Sequence, residues 1–262
     1  MRERLDVSLV ERGLAESREK AQALVMAGRV RVDGRPAAKP GTAVPEGARV
    51  EVLPGAEHVG RGALKLQGAL DLLGVDPKGR VAVDVGASTG GFTEVLLARG
   101  ARRVYAVDVG RGQLHERLRH DPRVVVRERV NARALSAAEV PEPCGLATVD
   151  VSFISVLKVL PALRTVLEPD ADVLVLVKPQ FEAGRGQVGR GGLVKDPALH
   201  AEVLATVARR AADELGYAIV GACPSPITGT EGNREFFLHL RPAGPGLLAD
   251  EREAAMRSVA RA

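Results

Sequence analysis

Residues 81–93, Val-Ala-Val-Asp-Val-Gly-Ala-Ser-Thr-Gly-Gly-Phe-Thr, set the architecture. Four small apolar residues around a single acid, Asp84, read as a buried strand. The glycines at 86, 90 and 91 turn the chain sharply, and a helix follows from about residue 91 to 99. Outward from this unit the alternation repeats. Further strands are expected at 104–108, 124–126, 146–150 and 173–177, with helices at 155–167 and 197–215. Two late strands are expected near 217–222 and 235–240, and a terminal helix over 247–262. Strands and helices in alternation imply a mostly parallel, doubly wound α/β sheet. Ligands of such a sheet bind at the carboxyl ends of its strands.

A chain of 262 residues holds one large domain, or a large one and a small one. With 45% hydrophobic and 27% charged residues, disorder across the whole length is excluded. Aromatics make up 3% and Trp is absent, so Val, Leu, Ala and Ile must build the core. The longest aliphatic run, 173–177, is far short of the roughly 20 residues of a membrane helix. The charged start, Met-Arg-Glu-Arg-Leu-Asp, has no apolar stretch behind it, so no signal peptide is expected. Cys144 and Cys223 are too few and too far apart for a zinc cluster or a disulfide framework. A cytoplasmic monomer without metal is the expectation. The net charge of +4 suggests a polyanionic partner. Between residues 99 and 133, ten arginines face four acids (Asp108, Glu116, Asp121, Glu128), a local net of +6. That clustering is a candidate nucleic-acid face.

Residues 1–53 read as a small α+β unit. Leu5, Leu9, Val10 and Leu14 have helical spacing, and Gly13 marks a stop. Ser17 is placed to cap a second helix carrying Ala21, Leu24 and Val25. Alternation in Arg29-Val-Arg-Val then runs into an Asp33-Gly34 turn, and 49–53 is another strand. This pattern resembles the alpha-L RNA-binding module first seen in a small-subunit ribosomal protein. The resemblance implies that Arg4, Arg18, Lys20, Arg29, Arg31 and Arg35 meet RNA phosphates. Residues 54–60 read as a linker, 61–243 as the α/β domain and 244–262 as a helical tail.

The glycine spacing after the first strand is not the dinucleotide G-x-G-x-x-G, which disfavours a nicotinamide dehydrogenase. An acid at Asp84 suits a cationic amino-acid moiety better than a phosphate, and Asp108, ending the second strand, suits two ribose hydroxyls. The pair resembles the S-adenosylmethionine site of Rossmann-like methyltransferases. Asp84, Gly86, Ala87, Ser88, Thr89, Gly90, Gly91, Phe92, Asp108 and Asp150 are the expected cofactor residues. Asn131 falls where such enzymes meet adenine, although a turn-forming Asn is an equally simple reading.

Four ionisable residues complete the picture: Lys65 before the first strand, Asp150 ending the fourth, Lys178 ending the fifth and Glu235 opening the last. Asp150 and Lys178 fall at adjacent strand ends by alternation alone. A lysine at the mouth of a buried strand is expected to lose basicity through desolvation. Two lysines and two acids sum to zero and are burial-compatible as a paired network.

The Lys-Asp-Lys-Glu order, with Gly-Ala-Ser-Thr-Gly-Gly-Phe-Thr, Asp-Val-Ser-Phe-Ile-Ser, Val-Lys-Pro-Gln-Phe-Glu and Gly-Asn-Arg-Glu-Phe-Phe, resembles the TlyA (hemolysin A-like) rRNA 2′-O-methyltransferases. That family joins the alpha-L module to a domain of the FtsJ type. The resemblance spans essentially the whole chain. It implies S-adenosylmethionine as methyl donor and cytidine ribose of ribosomal RNA, in assembled subunits, as acceptor. It makes Lys65, Asp150, Lys178 and Glu235 the catalytic residues, with Lys178, kept partly neutral by burial and by Lys65, acting on the 2′-hydroxyl proton. Phe153 is placed to stack on a flipped cytosine, with core packing an equally simple reading. Residues 182–196, with Arg185 and Arg190, resemble a substrate loop. A complete N-terminal module and a C-terminal helix go, in the family, with action on both subunits. Two departures are visible: Val151 stands where Leu is common, and the linker at 56–59 lacks a large aromatic. A non-catalytic ribosome assembly factor remains the alternative. A membrane-active hemolysin finds no amphipathic or long apolar segment to support it.

Overall fold

The computed structural model describes residues 3–261 except 27, 38, 46, 53–58, 185 and 230–231, and the side chain of Arg190 is likewise outside it. Most of the expected linker and Arg185 therefore lie outside the described residues. The chain forms two compact units, residues 1–63 and 64–262.

In the first unit, β1 (Glu3–Arg4) leads into α1 (Leu5–Glu11) and α2 (Arg18–Met26). These are followed by β2 (Val30–Val32), β3 (Arg35–Pro36), β4 (Ala43–Val44) and β5 (Val50–Val52). β2 pairs antiparallel with both β3 and β5, and β1 with β4. The backbone N–H of Lys20 donates to Ser17 Oγ (3.2 Å), the cap expected of Ser17. Asp33 and Gly34 both have positive φ (50° and 76°), which matches a tight hairpin turn to the strand twist. Leu5, Leu9, Ala21, Val25, Val30 and Val44 close a small core.

The second unit opens with α3 (Gly62–Leu73), which the alternation does not announce. Ala63, Leu66, Ala69 and Leu70 nonetheless have helical spacing and are all buried. Then come β6 (Val81–Val85), α4 (Gly91–Ala98), β7 (Arg103–Asp108), α5 (Glu116–Arg119), β8 (Val124–Glu128) and β9 (Cys144–Val149). The helix expected over 155–167 is broken. A 3-10 turn (Val156–Lys158) is capped by Ser155 Oγ, and α6 (Leu160–Arg164) follows with Pro161 in its first turn. Proline has no N–H to continue the preceding turn, so two short pieces replace one helix. β10 (Leu167–Val177) is correspondingly twice its expected length. α7 (Pro179–Glu182), α8 (Pro197–Asp213), β11 (Ala218–Pro224), β12 (Phe236–Arg241) and α9 (Ala249–Arg261) complete the unit.

The sheet order is β11-β12-β10-β9-β6-β7-β8. The run from β10 to β8 is parallel, whereas β12 is antiparallel to both neighbours. That reversal positions the site. Val85 lies opposite Val149, Val149 opposite Val175, and Val177 opposite Phe236. The amino end of β12 therefore shares one sheet edge with the carboxyl ends of β6, β9 and β10. α9 packs on α8 and β11, with Met256 and Ala260 fully buried. Among the described residues no helix is long and apolar enough to cross a membrane.

Candidate active site

The turn after β6 passes against the end of β9. Gly86 has φ +86°, and a Cβ there would lie 2.3 Å from the carbonyl oxygen of Asp150. Gly90, at φ +98°, sits so close to Leu118 that a Cβ would approach its Cδ1 to 2.3 Å. Ser88 is also left-handed (φ +48°), and its N–H donates to Asp108 Oδ2 (2.8 Å) while the Gly110 N–H donates to Oδ1 (2.7 Å). Two loop backbones are thus clamped on one carboxylate, and the exposed tip, Ser88 and Thr89, faces solvent. Gly86 and Ala87 donate their N–H groups to the Val107 carbonyl.

Asp84 lies fully buried and accepts from the hydroxyls of Thr93 (2.7 Å) and Thr148 (2.9 Å). Burial pushes its carboxyl up to about 6, the two hydroxyls oppose that shift, and the charge of Asp150 adds to it. Phe92 is buried in a tilted ring pair with Phe237 (centroids 5.9 Å apart). Asn131 Oδ1 accepts from the Arg133 N–H (3.1 Å), capping a 3-10 turn at Ala132–Ala134.

The four ionisable residues form two ion pairs. Lys65, on α3, donates to Glu235 Oε2 (2.6 Å), and both are buried. Lys178 Nζ stands 2.5 Å from Asp150 Oδ1 as a close ion contact and donates to Ser152 Oγ (3.0 Å). Lys65 is thus tied to Glu235 rather than set directly against Lys178. Ser152, which the sequence pattern did not single out, is brought to Lys178 by the parallel register of β9 and β10.

Beside this pair lies an aromatic surface. Phe153 is 90% exposed and has φ +64°, a conformation costly for a bulky residue. Its ring packs 5.0 Å from that of Phe181, over which Lys178 Nζ lies at 6.0 Å. The glycine-rich segment after α7 is anchored at both ends. Glu182 accepts from the Val156 N–H (2.7 Å), and burial raises the Glu182 carboxyl above its usual range. Val194 N–H donates to Asn233 Oδ1 (2.9 Å), Asn233 Nδ2 donates to the Gly192 carbonyl (2.9 Å), and His200 Nε2 meets the Val194 carbonyl (2.9 Å). Asn233 and His200 were invisible as anchors because their partners are backbone groups, which carry no residue signature, and those of Asn233 also lie about forty residues away.

Among the N-terminal cations, Arg4 and Arg18 converge on Asp6, Lys20 pairs with Glu16, Arg29 is half-buried, and Arg31 and Arg35 are exposed. The basic stretch 99–133 is largely internal bookkeeping of charge: Arg99 pairs with Asp71, Arg102 and Arg103 with Glu142, Arg117 with Glu94, Arg119 with Glu128 and Arg123 with Asp121. Its +6 therefore does not form a continuous basic face.

A glycine turn, an acid at each of the first two strand ends and an antiparallel strand inserted beside β10 define a Rossmann-like methyltransferase unit. The family profile for FtsJ-like methyltransferases matches residues 58–242, and that for the S4 domain, the alpha-L module, matches residues 3–50. The 16S/23S rRNA (cytidine-2′-O)-methyltransferase TlyA of Mycobacterium tuberculosis is 54% identical over 242 residues, covering 92% of this chain and 90% of that protein. YqxC of Bacillus subtilis, described as a candidate rRNA methyltransferase, is 48% identical over 98% of this chain and 93% of its own. A solved structure from Streptococcus thermophilus, described as a candidate hemolysin, superimposes with a TM-score of 0.76 at 39% identity, covering 99% of this chain and 96% of that one. The chain belongs to the TlyA family of FtsJ-like methyltransferases.

Removing one member of a buried ion pair leaves the other uncompensated, at a cost of about 3–5 kcal/mol. Lys65→Ala is expected to lower stability by that order, read as a drop in the urea midpoint at unchanged slope. Lys65→Met combined with Glu235→Leu is expected to regain most of the stability while activity stays lost. Recovery of activity by the double variant would contradict a catalytic role for the pair.

Proposed function

We propose that the protein transfers a methyl group from S-adenosylmethionine to the 2′-hydroxyl of a cytidine in ribosomal RNA. The observation that carries this reading is the placement of two lysine–carboxylate pairs at the strand ends beside the glycine turn. The turn is compatible with the cofactor: Gly86 and Gly90, lacking side chains, let the loop pack directly on the Asp150 backbone and on Leu118, and the tip at Ser88 and Thr89 stays exposed. Gly86, Ala87, Ser88, Thr89, Gly90 and Gly91 would line it, Asp108 would accept from the ribose hydroxyls, Asn131 would meet the adenine, and Asp84 and Asp150 would face the amino-acid end. Phe92 would support the turn through its packing on Phe237. Bound there, the cofactor supplies a methyl group on a cationic sulfur.

The chain's own residues then have one task, because a ribose hydroxyl is a poor nucleophile at neutral pH. Lys178, steadied by Asp150 and Ser152, orients the 2′-hydroxyl as an ammonium and, in its unprotonated form, takes up the hydroxyl proton as the oxygen bonds the methyl group. Glu235, steadied by Lys65, fixes the hydroxyl from the adjacent strand. Rate depends mainly on this positioning. Phe153 offers its exposed ring to a cytosine drawn out of its stack. Arg185 and Arg190, within residues 182–196, and Arg4, Arg18, Lys20, Arg29, Arg31 and Arg35, on the N-terminal unit, meet phosphates. In this division of labour residues 1–53 bind RNA, 54–60 link, 61–243 carry the chemistry, and 244–262 buttress it. The substrate is ribosomal RNA in assembled subunits, small, large or both; the name of the mycobacterial relative gives 16S and 23S rRNA for that protein. The protein works as a monomer in the cytoplasm.

Two expected outcomes test the reading. Lys178→Ala is expected to bind cofactor and RNA normally and to lose roughly 10²–10⁴-fold in single-turnover methyl transfer. A Lys178→Ala enzyme with near-full activity would overturn the role given to that lysine. A cationic amino group is stabilised by ionised Asp84, so affinity for S-adenosylmethionine should be full well above pH 6 and fall as pH drops through about 6, the value at which Asp84 titrates. Calorimetry across that range reads the change, and Asp84→Asn should flatten it. A pH-independent affinity in the unmodified protein would remove Asp84 from the amino-acid end.

A further inference from the structure

The first turn of α1 holds a carboxylate that has no backbone partner of its own making. Asp6 is fully buried, yet among the described residues every hydrogen bond its carboxylate accepts comes from a side chain. Oδ1 accepts from Arg4 Nε (3.0 Å), and Oδ2 accepts from Arg4 Nη2 (2.9 Å), Arg18 Nε (3.0 Å) and Gln22 Nε2 (2.9 Å). The three donors come from β1 and from two turns of α2, so one carboxylate gathers two arginines from different elements. Its ionised form is favoured by these bonds, Arg4 foremost, which hold the carboxyl well below the ordinary range. Its place in the first turn of α1 favours the same form.

Both arginines keep about half of their side-chain surface in water, 52% for Arg4 and 54% for Arg18. Arg18 gives Asp6 only its Nε–H, and Arg4 gives its Nε–H and one terminal nitrogen. The remaining guanidinium donors have no other partner among the described residues. Arg4 Nη1 passes over Gly41, where a Cβ would lie 3.1 Å from it, so the backbone leaves room for the guanidinium to lie flat. Folding alone does not call for this arrangement, because a buried charge held by arginines is often no more stabilising than an apolar residue of similar size. What it does achieve is to remove rotational freedom from two long side chains before any ligand arrives.

We propose that Asp6 is a positioning residue for RNA binding: it holds Arg4 and Arg18 in one fixed, outward-facing array that engages two neighbouring phosphates of the nucleic-acid backbone. The inference rests on the reading that the N-terminal unit binds RNA, and goes beyond it by assigning the preorganisation to a buried acid. It makes a prediction of unusual sign. Asp6→Asn removes a negative charge next to the expected phosphates, so charge alone would tighten binding. Positioning demands the opposite, because a neutral amide accepts at one oxygen only and releases one or both arginines.

The test uses the full chain and a labelled transcript of small-subunit ribosomal RNA, with the dissociation constant measured over a series of salt concentrations. Asp6→Asn is expected to weaken binding roughly tenfold, the scale of immobilising two arginine side chains. It should also lower the slope of log affinity against log salt by about one to two, the loss of as many phosphate contacts. Partial unfolding would scale down the competent fraction alike at every salt concentration and leave the slope unchanged, so the slope reads positioning even in a weakened variant. Arg4→Ala with Arg18→Ala is the reference and should match both changes. If the double arginine variant weakens binding and Asp6→Asn binds equally or more tightly, the positioning role is wrong while the RNA reading stands. If neither variant changes affinity or slope, the RNA-binding role of these arginines is wrong, and the proposal falls with it.

Discussion

Backbone contact between Gly86 and Asp150 is the constraint on which the catalytic unit depends. The two residues end neighbouring parallel strands, and the turn after β6 can cross the end of β9 only because position 86 has no side chain. That crossing sets the proposed cofactor cradle within reach of Asp150, and Asp150 in turn sets Lys178. From there the antiparallel β12 delivers Glu235 to the same edge, and α3 delivers Lys65 to Glu235. In the proposed reaction a methyl donor and an acceptor hydroxyl must meet in line, and these four chain segments would define the meeting point.

The charges of the protein serve two ends that composition cannot separate. Six of the ten arginines between 99 and 133 are in ion pairs, five of them with acids elsewhere in the fold and Arg123 with neighbouring Asp121. They tie helices and strands together and are screened as most surface pairs are. Arg4 and Arg18 are also paired, yet their common partner is buried and they are half exposed, so the pair orients charge toward solvent instead of neutralising it. The same residue type ties elements together in one place and is held by a buried acid in the other, and the difference lies in the burial of the acid: Asp6 is fully buried, whereas the acids paired with the 99–133 arginines all keep some exposure.

How far the site was legible follows from this geometry. Asp150 and Lys178 were placed together by strand–helix alternation, because both end parallel strands. Glu235 and Lys65 were joined to them by family resemblance alone: alternation carries no sign of an antiparallel strand, and α3 precedes the repeating pattern. The glycine turn was legible because left-handed backbone restricts residue choice so strongly. Ser152 and Asn233 act through register or through partners distant in the chain, and a one-dimensional pattern holds no trace of either; Asp6 has Arg4 two residues away, but its burial and its pairing with Arg18 and Gln22 on α2 show only in the fold. The long helix expected over 155–167 failed at Pro161, where a local rule outweighed apolar periodicity.

The central claim is ribose methylation of ribosomal RNA at the edge where β6, β9, β10 and β12 meet. Its most direct test is transfer of labelled methyl from S-adenosylmethionine to separated, unmodified ribosomal subunits, followed by alkaline hydrolysis of the RNA. A methylated 2′-oxygen cannot attack the neighbouring phosphate, so the account predicts label in alkali-resistant dinucleotides. Label released as single nucleotides would mean methylation of a base, and would contradict the chemistry assigned to Lys178 and its partners.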